Sequence, residues 1–322
     1  MIKELPLRFR NLPTPMAGLA LGVASLGVCI DLALGLKGAA QVLCALIAAA
    51  LLALLSLRYV FHFKTLVEDL KHPVLGSIAP TFAMCLMVLS KSLGLLSAGL
   101  GAGLWMAAVA LHLVFLACFV YNRLSTPSLA VMVPSWFVPP VGLIVADVAF
   151  PGLSWLHAPA LVILALGMAS YALLLPVMLY RIFFYPAIQE GAQPTIAILA
   201  APASLSLAGY LTVVDNPNLL LCAVLLGIAL LMTVAVYFAF WRLLRLRFSA
   251  GYAAFTFPMA IGATALYKAS QALEAIPGAQ EYASDLRIMG HVELVIATLV
   301  IVYVLVLYIK NLRTFMPAPP RN

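Results

Sequence analysis

Long apolar runs, separated by short polar segments, follow one another along almost the whole chain. Each run holds about 20 residues, enough for a helix to cross a hydrocarbon core of about 30 Å. The pattern predicts an all-α membrane protein whose single transmembrane domain covers residues 1–322. The ten predicted transmembrane helices cover 14–35, 39–60, 73–95, 98–121, 127–149, 155–181, 194–214, 218–241, 250–272 and 286–309.

Composition and charge agree with this class. Apolar residues make up 65% of the chain and charged residues 9%, which excludes an ordinary soluble protein. With ten spans, every Lys and Arg except Lys37, Lys91, Lys268 and Arg287 falls on the side of the two termini. The positive-inside rule therefore predicts cytoplasmic termini. The net charge of +7 follows largely from this asymmetry, so no nucleic-acid partner is expected.

Prolines recur in the odd-numbered runs. Three of these runs begin at a proline and carry a second proline seven or eight residues later, and the ninth carries Gly251 and Pro258 at the same spacing. The starts recur every 54 to 67 residues, which predicts five tandem helical hairpins. The hairpins cover approximately 13–64, 73–122, 127–186, 194–243 and 250–311, and the leading prolines are Pro13, Pro73, Pro127 and Pro194.

The internal prolines predict where the pathway lies. A proline inside a helix removes a hydrogen bond and bends the helix, and in lipid the freed carbonyl needs a partner. We expect kinks at Pro80, Pro134, Pro202 and Pro258. Because the breaks alternate with smoother helices, five kinked inner helices should surround a central pore, with five outer helices facing lipid. The positive dipole ends of the inner helices would favour an anion entering from the cytoplasm.

The stretch from Gly251 to Lys268 places Phe257, Ile261, Thr264 and Lys268 on one helical face. This face is typical of the wall of a narrow passage, with Lys268 at the outer vestibule. A kinked helix that serves only packing is the alternative. Lys268 could attract anions or could instead pair with Glu293 of the last helix.

Small hydroxyls, not ionisable groups, surround the predicted breaks, which favours weak ion contact over proton coupling. The alternative is that these hydroxyls bond to their own helix. Charged residues gather at the outer ends of the inner helices, where we expect most of them to be solvated. The hydroxyl candidates for lining the pore are Thr81, Ser135, Ser204 and Thr264, and the outer charges are Asp31, Lys91, Asp147, Asp215 and Lys268.

Nothing in the sequence predicts an enzyme or a cofactor. The five cysteines lie within apolar runs without metal-binding spacing and should be packing residues. His112 and His291 are the histidines within predicted spans, and a haem between them is a minor third hypothesis. No phosphate loop, catalytic triad or metal cluster is recognisable.

The chain resembles the tellurite-resistance and dicarboxylate transporter family, which includes bacterial TehA-type proteins and the slow anion channels of plant guard cells. Residues 255–259 (FTFPM) resemble the pattern around the aromatic residue that plugs the plant channels, which implies that Phe257 is a gate. Pro13 followed by residues 18–22 (GLALG) is similar to the family's opening pattern and implies pore-lining roles for Gly18 and Gly22. Pro15 and Ala17 stand where glycine and an aromatic residue are common.

The resemblance implies a homotrimer in a bacterial inner membrane, in which each subunit conducts small monovalent anions such as nitrate and chloride through its own pore. It also leaves open a proton-coupled carrier of C4-dicarboxylates such as malate, or a tellurite-resistance exporter. The lipid bilayer and small inorganic anions are the expected partners.

Overall fold

The computed structural model describes residues 8–125 and 128–316, within which every regular element is helical. Lys3, Pro127 and Arg321, which entered the sequence predictions, lie outside this part. In chain order the main helices are α1 Met16–Leu34, α2 Ala39–Phe61, α3 Leu75–Gly94, α4 Ala98–Leu124, α5 Pro134–Val148, α6 Ser154–Phe184, α7 Glu190–Val213, α8 Leu219–Leu243, α9 Thr256–Glu274 and α10 Gln280–Lys310.

Eight of the described helices are long and apolar enough to cross a membrane. α5 is shorter, and α9 is 19 residues long but less apolar. The predicted class, an all-helical membrane protein, is confirmed, whereas the count of ten spans stays a prediction. α10 begins at Gln280, earlier than the expected start at residue 286.

The fifth apolar run does not form the continuous helix expected over 127–149. α5 begins at Pro134 and alternates between short 3₁₀ and α-helical pieces, from Pro134–Phe137 to Val145–Val148. Pro134, Pro139 and Pro140 lack the N–H that a continuous helical ladder needs. Because a 3₁₀ turn rises about 2.0 Å per residue, this short element is longer than its residue count suggests.

The predicted kink prolines lie at the starts of helical pieces and not in the middle of an α-helix, which corrects the sequence interpretation. Pro80 immediately precedes Thr81–Gly94, and Pro202 is the second residue of Ala201–Val213 after a 3₁₀ segment, Glu190–Ala200. Pro258 is the third residue of α9, which also follows a 3₁₀ segment, Ala250–Phe255. N–H groups in the first turn have no intrahelical partner, so proline costs little there.

Burial alternates along the chain. In α1, α3 and α7, 67% to 72% of the residues in an apolar 18-residue stretch of the helix are buried. The corresponding share is 17% to 33% in α2, α4, α6, α8 and α10. Each odd-numbered helix contacts the next, and α9 contacts α1, so these five elements form a closed ring. The even-numbered helices pack outside it and expose large apolar side chains such as Leu173, Phe238 and Leu299.

Side chains from the outer helices satisfy the broken backbone of the inner ones. On α4, Trp105 Nε1 donates to the Ala146 carbonyl at 2.8 Å, and His112 Nε2 donates to the Pro139 carbonyl at 2.7 Å. These bonds supply the partners that irregular backbone needs in lipid. The haem hypothesis finds no support, because His112 is buried against α5 whereas His291 is exposed and packs edge-on against Tyr267.

Candidate functional site

A cavity of about 60 Å³ lies at the centre of the ring. Among the described residues that line it, Thr81 is the one with a polar side chain. All five odd-numbered helices or the segments that lead into them contribute, and no even-numbered helix does. The lining residues are Pro15, Gly18, Leu21, Ile78, Thr81, Met84, Phe137, Val138, Val141, Gly142, Ile198, Ala201, Pro202, Leu205, Gly251, Ala253, Ala254, Phe257 and Pro258.

A second, smaller cavity of about 20 Å³ lies on the other side of Phe257. Its polar lining residues are Ser25, Lys91 and Thr264, and Ile261 adds apolar surface. Phe257 and Leu205 line both cavities. The Phe257 side chain, 9% exposed, is therefore part of the partition between the central and outer cavities.

The third cavity, of about 490 Å³, forms a wide mouth where α1, α3 and the segment before α9 begin. Arg10 and Asn11 contribute to its lining. It shares Pro15, Ile78 and Gly251 with the central cavity. The mouth, the central cavity and the outer cavity thus adjoin one another in a row, with Phe257 between the last two.

A buried ion pair braces the wall of the mouth. Arg58 of α2 contacts Asp69, on the short helix Phe63–Lys71, at 2.8 Å between Nη1 and Oδ2. Thr14, just before α1, donates to the same oxygen at 2.5 Å and accepts from Arg58 at 2.8 Å. Both charged residues are less than 9% exposed. The network ties the chain that enters α1 to two other elements.

The hydroxyls near the breaks bond to their own helices, which favours the second of the two sequence interpretations. Thr81 donates to the Ile78 carbonyl at 2.8 Å and Thr264 to the Ala260 carbonyl at 2.9 Å. Thr256 likewise donates to the Ala253 carbonyl at 2.7 Å. Their protons are committed to backbone carbonyls, so these hydroxyls present oxygen, not a donor, to the cavities.

Some of the predicted lining residues line the central cavity, some line the outer cavity, and some line neither. Gly18 and Thr81 line the central cavity, whereas Ile261 and Thr264 line the outer one. Ser135 is fully buried and lies 2.6 Å from the Ser77 hydroxyl. The remaining predictions concern Gly22, Ser204 and the kink prolines Pro80 and Pro134, none of which is among the described lining residues of either cavity.

Ser204 lies elsewhere than predicted. It donates to the Ala200 carbonyl at 3.1 Å and lines a lateral cavity of about 240 Å³ between α8, α9 and α10. On α7 the central lining comes from Ile198, Ala201, Pro202 and Leu205. At about 100° per residue, Ser204 falls roughly 110° from the middle of that face.

The outer charges also differ from the predictions. Glu293 accepts a hydrogen bond from Tyr237 and is not paired with Lys268. Asp147 is fully buried, although it was expected to be solvated, and packs near Gly209 of α7. Lys268 is absent from the described lining of the outer cavity, and Lys91 occupies that position. The sequence showed that Lys91 is a lysine near the end of α3, but it did not show that the Lys91 side chain faces the outer cavity.

Gly22 serves the packing beside Phe257. A Cβ atom at this position would lie 3.1 Å from the Phe257 backbone nitrogen and would collide with the Thr256 side chain. We expect Gly22→Ala to lower the free energy of unfolding by about 1–3 kcal/mol through overpacking. Thermal unfolding of the purified protein measures this.

Gly18→Ala is the matched control, because a Cβ there would meet its nearest neighbour at an ordinary 3.7 Å. Gly18 lies one helical turn away on the same helix, so both variants gain the same helix propensity. A Gly22→Ala protein as stable as Gly18→Ala would contradict the close packing of α1 against α9.

Residues 11–309 match the voltage-dependent anion channel family. An uncharacterized transporter of Methanocaldococcus jannaschii is 27% identical over 229 residues, which cover 64% of this chain and 67% of the relative. A second uncharacterized transporter of the same organism is 26% identical over 227 residues, covering 63% of this chain and 65% of that relative. The family and the names of these relatives indicate an anion channel or transporter, not an enzyme. Because the family match extends over nearly the whole described chain, the protein belongs to the voltage-dependent anion channel family.

Proposed function

We propose that the protein is a passive channel for small monovalent anions such as nitrate and chloride. The pathway runs through the mouth, the central cavity and the outer cavity, and the Phe257 ring closes it. The observation that carries this proposal is the position of Phe257, which lines both the central and the outer cavity. An ion that passes from one cavity to the other must pass this partition.

The proposal includes a topology. Ten transmembrane helices form five hairpins, with both termini in the cytoplasm of a bacterial inner membrane, so that the mouth lined by Arg10 faces inward. The closed ring of odd-numbered helices and the exposed apolar faces of the even-numbered ones support this arrangement. Each subunit would carry its own pathway within a homotrimer.

Proton-coupled transport of dicarboxylates, or export linked to tellurite resistance, ranks second. A proton-coupled carrier needs a titratable group that faces its pathway. Among the described residues, none that lines the central cavity is titratable, and the buried carboxylate at the mouth, Asp69, is paired with Arg58. The other buried carboxyl groups, Asp147 and Glu293, line neither the mouth, the central cavity nor the outer cavity. Glu293 instead lines the lateral cavity. These placements favour the channel.

The apolar lining predicts the ion selectivity. The central cavity offers no free hydroxyl donor, because the proton of Thr81 is bonded to the Ile78 carbonyl. Dehydration of the ion is therefore poorly compensated, and weakly hydrated anions should pass more easily. We expect nitrate and iodide to be at least about fivefold more permeant than chloride, a difference of about 1 kcal/mol. Bi-ionic reversal potentials of the open channel measure these ratios, and a preference for chloride would contradict the apolar pathway.

Reconstituted vesicles test the proposed function. Phe257→Ala protein in liposomes with an internal nitrate load should release nitrate down its gradient when valinomycin and potassium balance the charge. Parent protein in the same vesicles should release it far more slowly. Uptake of malate driven by an imposed proton gradient, without nitrate release by either protein, would replace the channel with the carrier.

A further inference from the structure

A lysine side chain, Lys91, lines the outer cavity. Lys91, near the end of α3, lines the cavity together with Phe257, which closes its other side. The cavity volume of about 20 Å³ exceeds the 10–15 Å³ that one water molecule requires. It can hold a single small solute next to the Lys91 side chain.

Lys91 forms no ion pair with an acidic side chain among the described residues. Asp31 accepts from the backbone N–H groups of Gly38 and Gln41 at 3.0 and 2.5 Å. Glu274 is paired with Arg287. The carboxylate oxygens of Asp147 have no hydrogen-bond partner among the described residues, but Asp147 packs next to Gly209 of α7 and is not among the lining residues of the outer cavity.

A second cation reinforces the positive charge of this region. Lys268 lies near the C-terminal end of α9, and its positive charge repels that of Lys91. Two like charges that lack acidic partners produce a positive potential over a small, largely apolar space, where water screens it poorly. Such a potential attracts an anion.

The cavity also contains a free hydrogen-bond donor. Ser25 is 7% exposed, and its Oγ atom has no hydrogen-bond partner among the described residues. Ser25 and Lys91 both line the outer cavity. By contrast, the Thr264 hydroxyl is already committed to the Ala260 carbonyl. A buried hydroxyl without a partner costs free energy unless a bound solute accepts from it.

We propose that the outer cavity is a binding site for one small monovalent anion, held by the Lys91 ammonium and the Ser25 hydroxyl immediately beyond Phe257. The role of this site in conduction rests on the proposed channel function. Anion binding to the site can nevertheless be measured without any current. An anion that passes Phe257 reaches this site before the outer solution. A site of moderate affinity here would assist the exit of ions by exchange between neighbouring positions.

Binding is tested by anomalous diffraction from crystals of the parent protein soaked in bromide. We expect a bromide peak beside Lys91 Nζ in the parent and in Lys37→Met, and its loss in Lys91→Met. Lys37 is the matched control because it is an exposed lysine in the loop between α1 and α2, at the same end of the molecule. No peak in the parent would overturn the site, and a peak that persists in Lys91→Met would mean an adventitious ion only.

The role in conduction is tested on a Phe257→Ala background. Adding Lys91→Met should lower the unitary chloride conductance by at least about threefold, because the local anion concentration falls with the positive potential. Adding Lys91→Arg should retain most of the conductance, and adding Lys37→Met should leave it unchanged. Equal conductance with and without Lys91→Met would contradict passage through this site.

The two assays separate the two proposals. A bromide peak at Lys91 in a protein whose Phe257→Ala variant carries no current would overturn the channel and leave the anion site standing. Current through Phe257→Ala in a protein without the peak would overturn the anion site and leave the channel standing.

Discussion

Phe257→Ala will increase the anion current by at least about tenfold over the parent, which corresponds to a barrier lower by about 1.4 kcal/mol. The ring lies at the boundary that the central and outer cavities share, and its loss joins the two spaces. An apolar constriction too narrow for a hydrated ion blocks conduction, and widening it removes the block. Two-electrode voltage clamp in oocytes, with surface expression measured in parallel, gives the current per channel.

Phe137→Ala is the control for the loss of an aromatic ring. Phe137 lines the central cavity but not the outer one, and its ring packs edge-on against Tyr171. Its removal enlarges the central cavity without removing the partition, so the current should stay near the parent level. A conservative Phe257→Tyr change should also stay nearly closed. If Phe257→Ala folds normally and conducts no more than Phe137→Ala, the ring does not close the pathway.

Asp69→Ala will cause the largest loss of stability among the charge substitutions considered. Arg58 and Asp69 are both buried and contact each other at 2.8 Å at the wall of the mouth. Removing the carboxylate leaves the Arg58 guanidinium buried without its counter-charge, which costs about 3–5 kcal/mol. Thermal unfolding in detergent, followed by intrinsic fluorescence, should show a midpoint lower by roughly 10 °C.

Glu274→Ala is the matched control, because Glu274 and Arg287 form the other ion pair among the described residues, and both side chains are more than 40% exposed. Loss of an exposed pair should cost about 0–1 kcal/mol. Replacing Arg58 and Asp69 together with methionine should recover much of the loss, because no unpaired charge remains. Equal midpoints for Asp69→Ala and Glu274→Ala would contradict a bracing role of the buried pair.

The apolar runs predicted the helices well because both depend on the same physical requirement. A segment that crosses lipid must satisfy its backbone internally and be apolar for about 20 residues, and both properties are visible in a single sequence. The helical spacing that joins Phe257, Ile261 and Thr264 also held, since all three line the outer cavity. Regular geometry on the outer side of Pro258 makes this face predictable.

The irregular elements could not be predicted in the same way. A 3₁₀ segment turns by 120° per residue and an α-helix by 100°, so each transition changes which residues share a face. Ser204 was chosen because it closely follows Pro202, but within the α-helical piece Ala201–Val213 it lies on a different face from Pro202 and Leu205 and lines the lateral cavity. The broken form of α5 depends on partners from α4, namely Trp105 and His112, which lie far away in the sequence.

The prediction that Lys268 lines the outer part of the pathway was wrong for a different reason. Lys268 continues the Phe257 face by spacing alone, yet the outer cavity ends before it and Lys91 supplies the charge from α3. Which of the two lysines reaches the cavity depends on how α3 and α9 each pack against α1, which lies between them in the ring. That packing is a tertiary property, and no motif in the sequence specifies it.

The reversal potential of the Phe257→Ala current tests the central claim most directly. Purified protein in a planar bilayer would be recorded under a nitrate gradient, with a proton gradient first parallel and then opposed to it. We predict a current that reverses at the nitrate equilibrium potential in both cases, because a passive anion channel does not couple to protons. A reversal potential that moves with the proton gradient would contradict the channel and identify a coupled carrier.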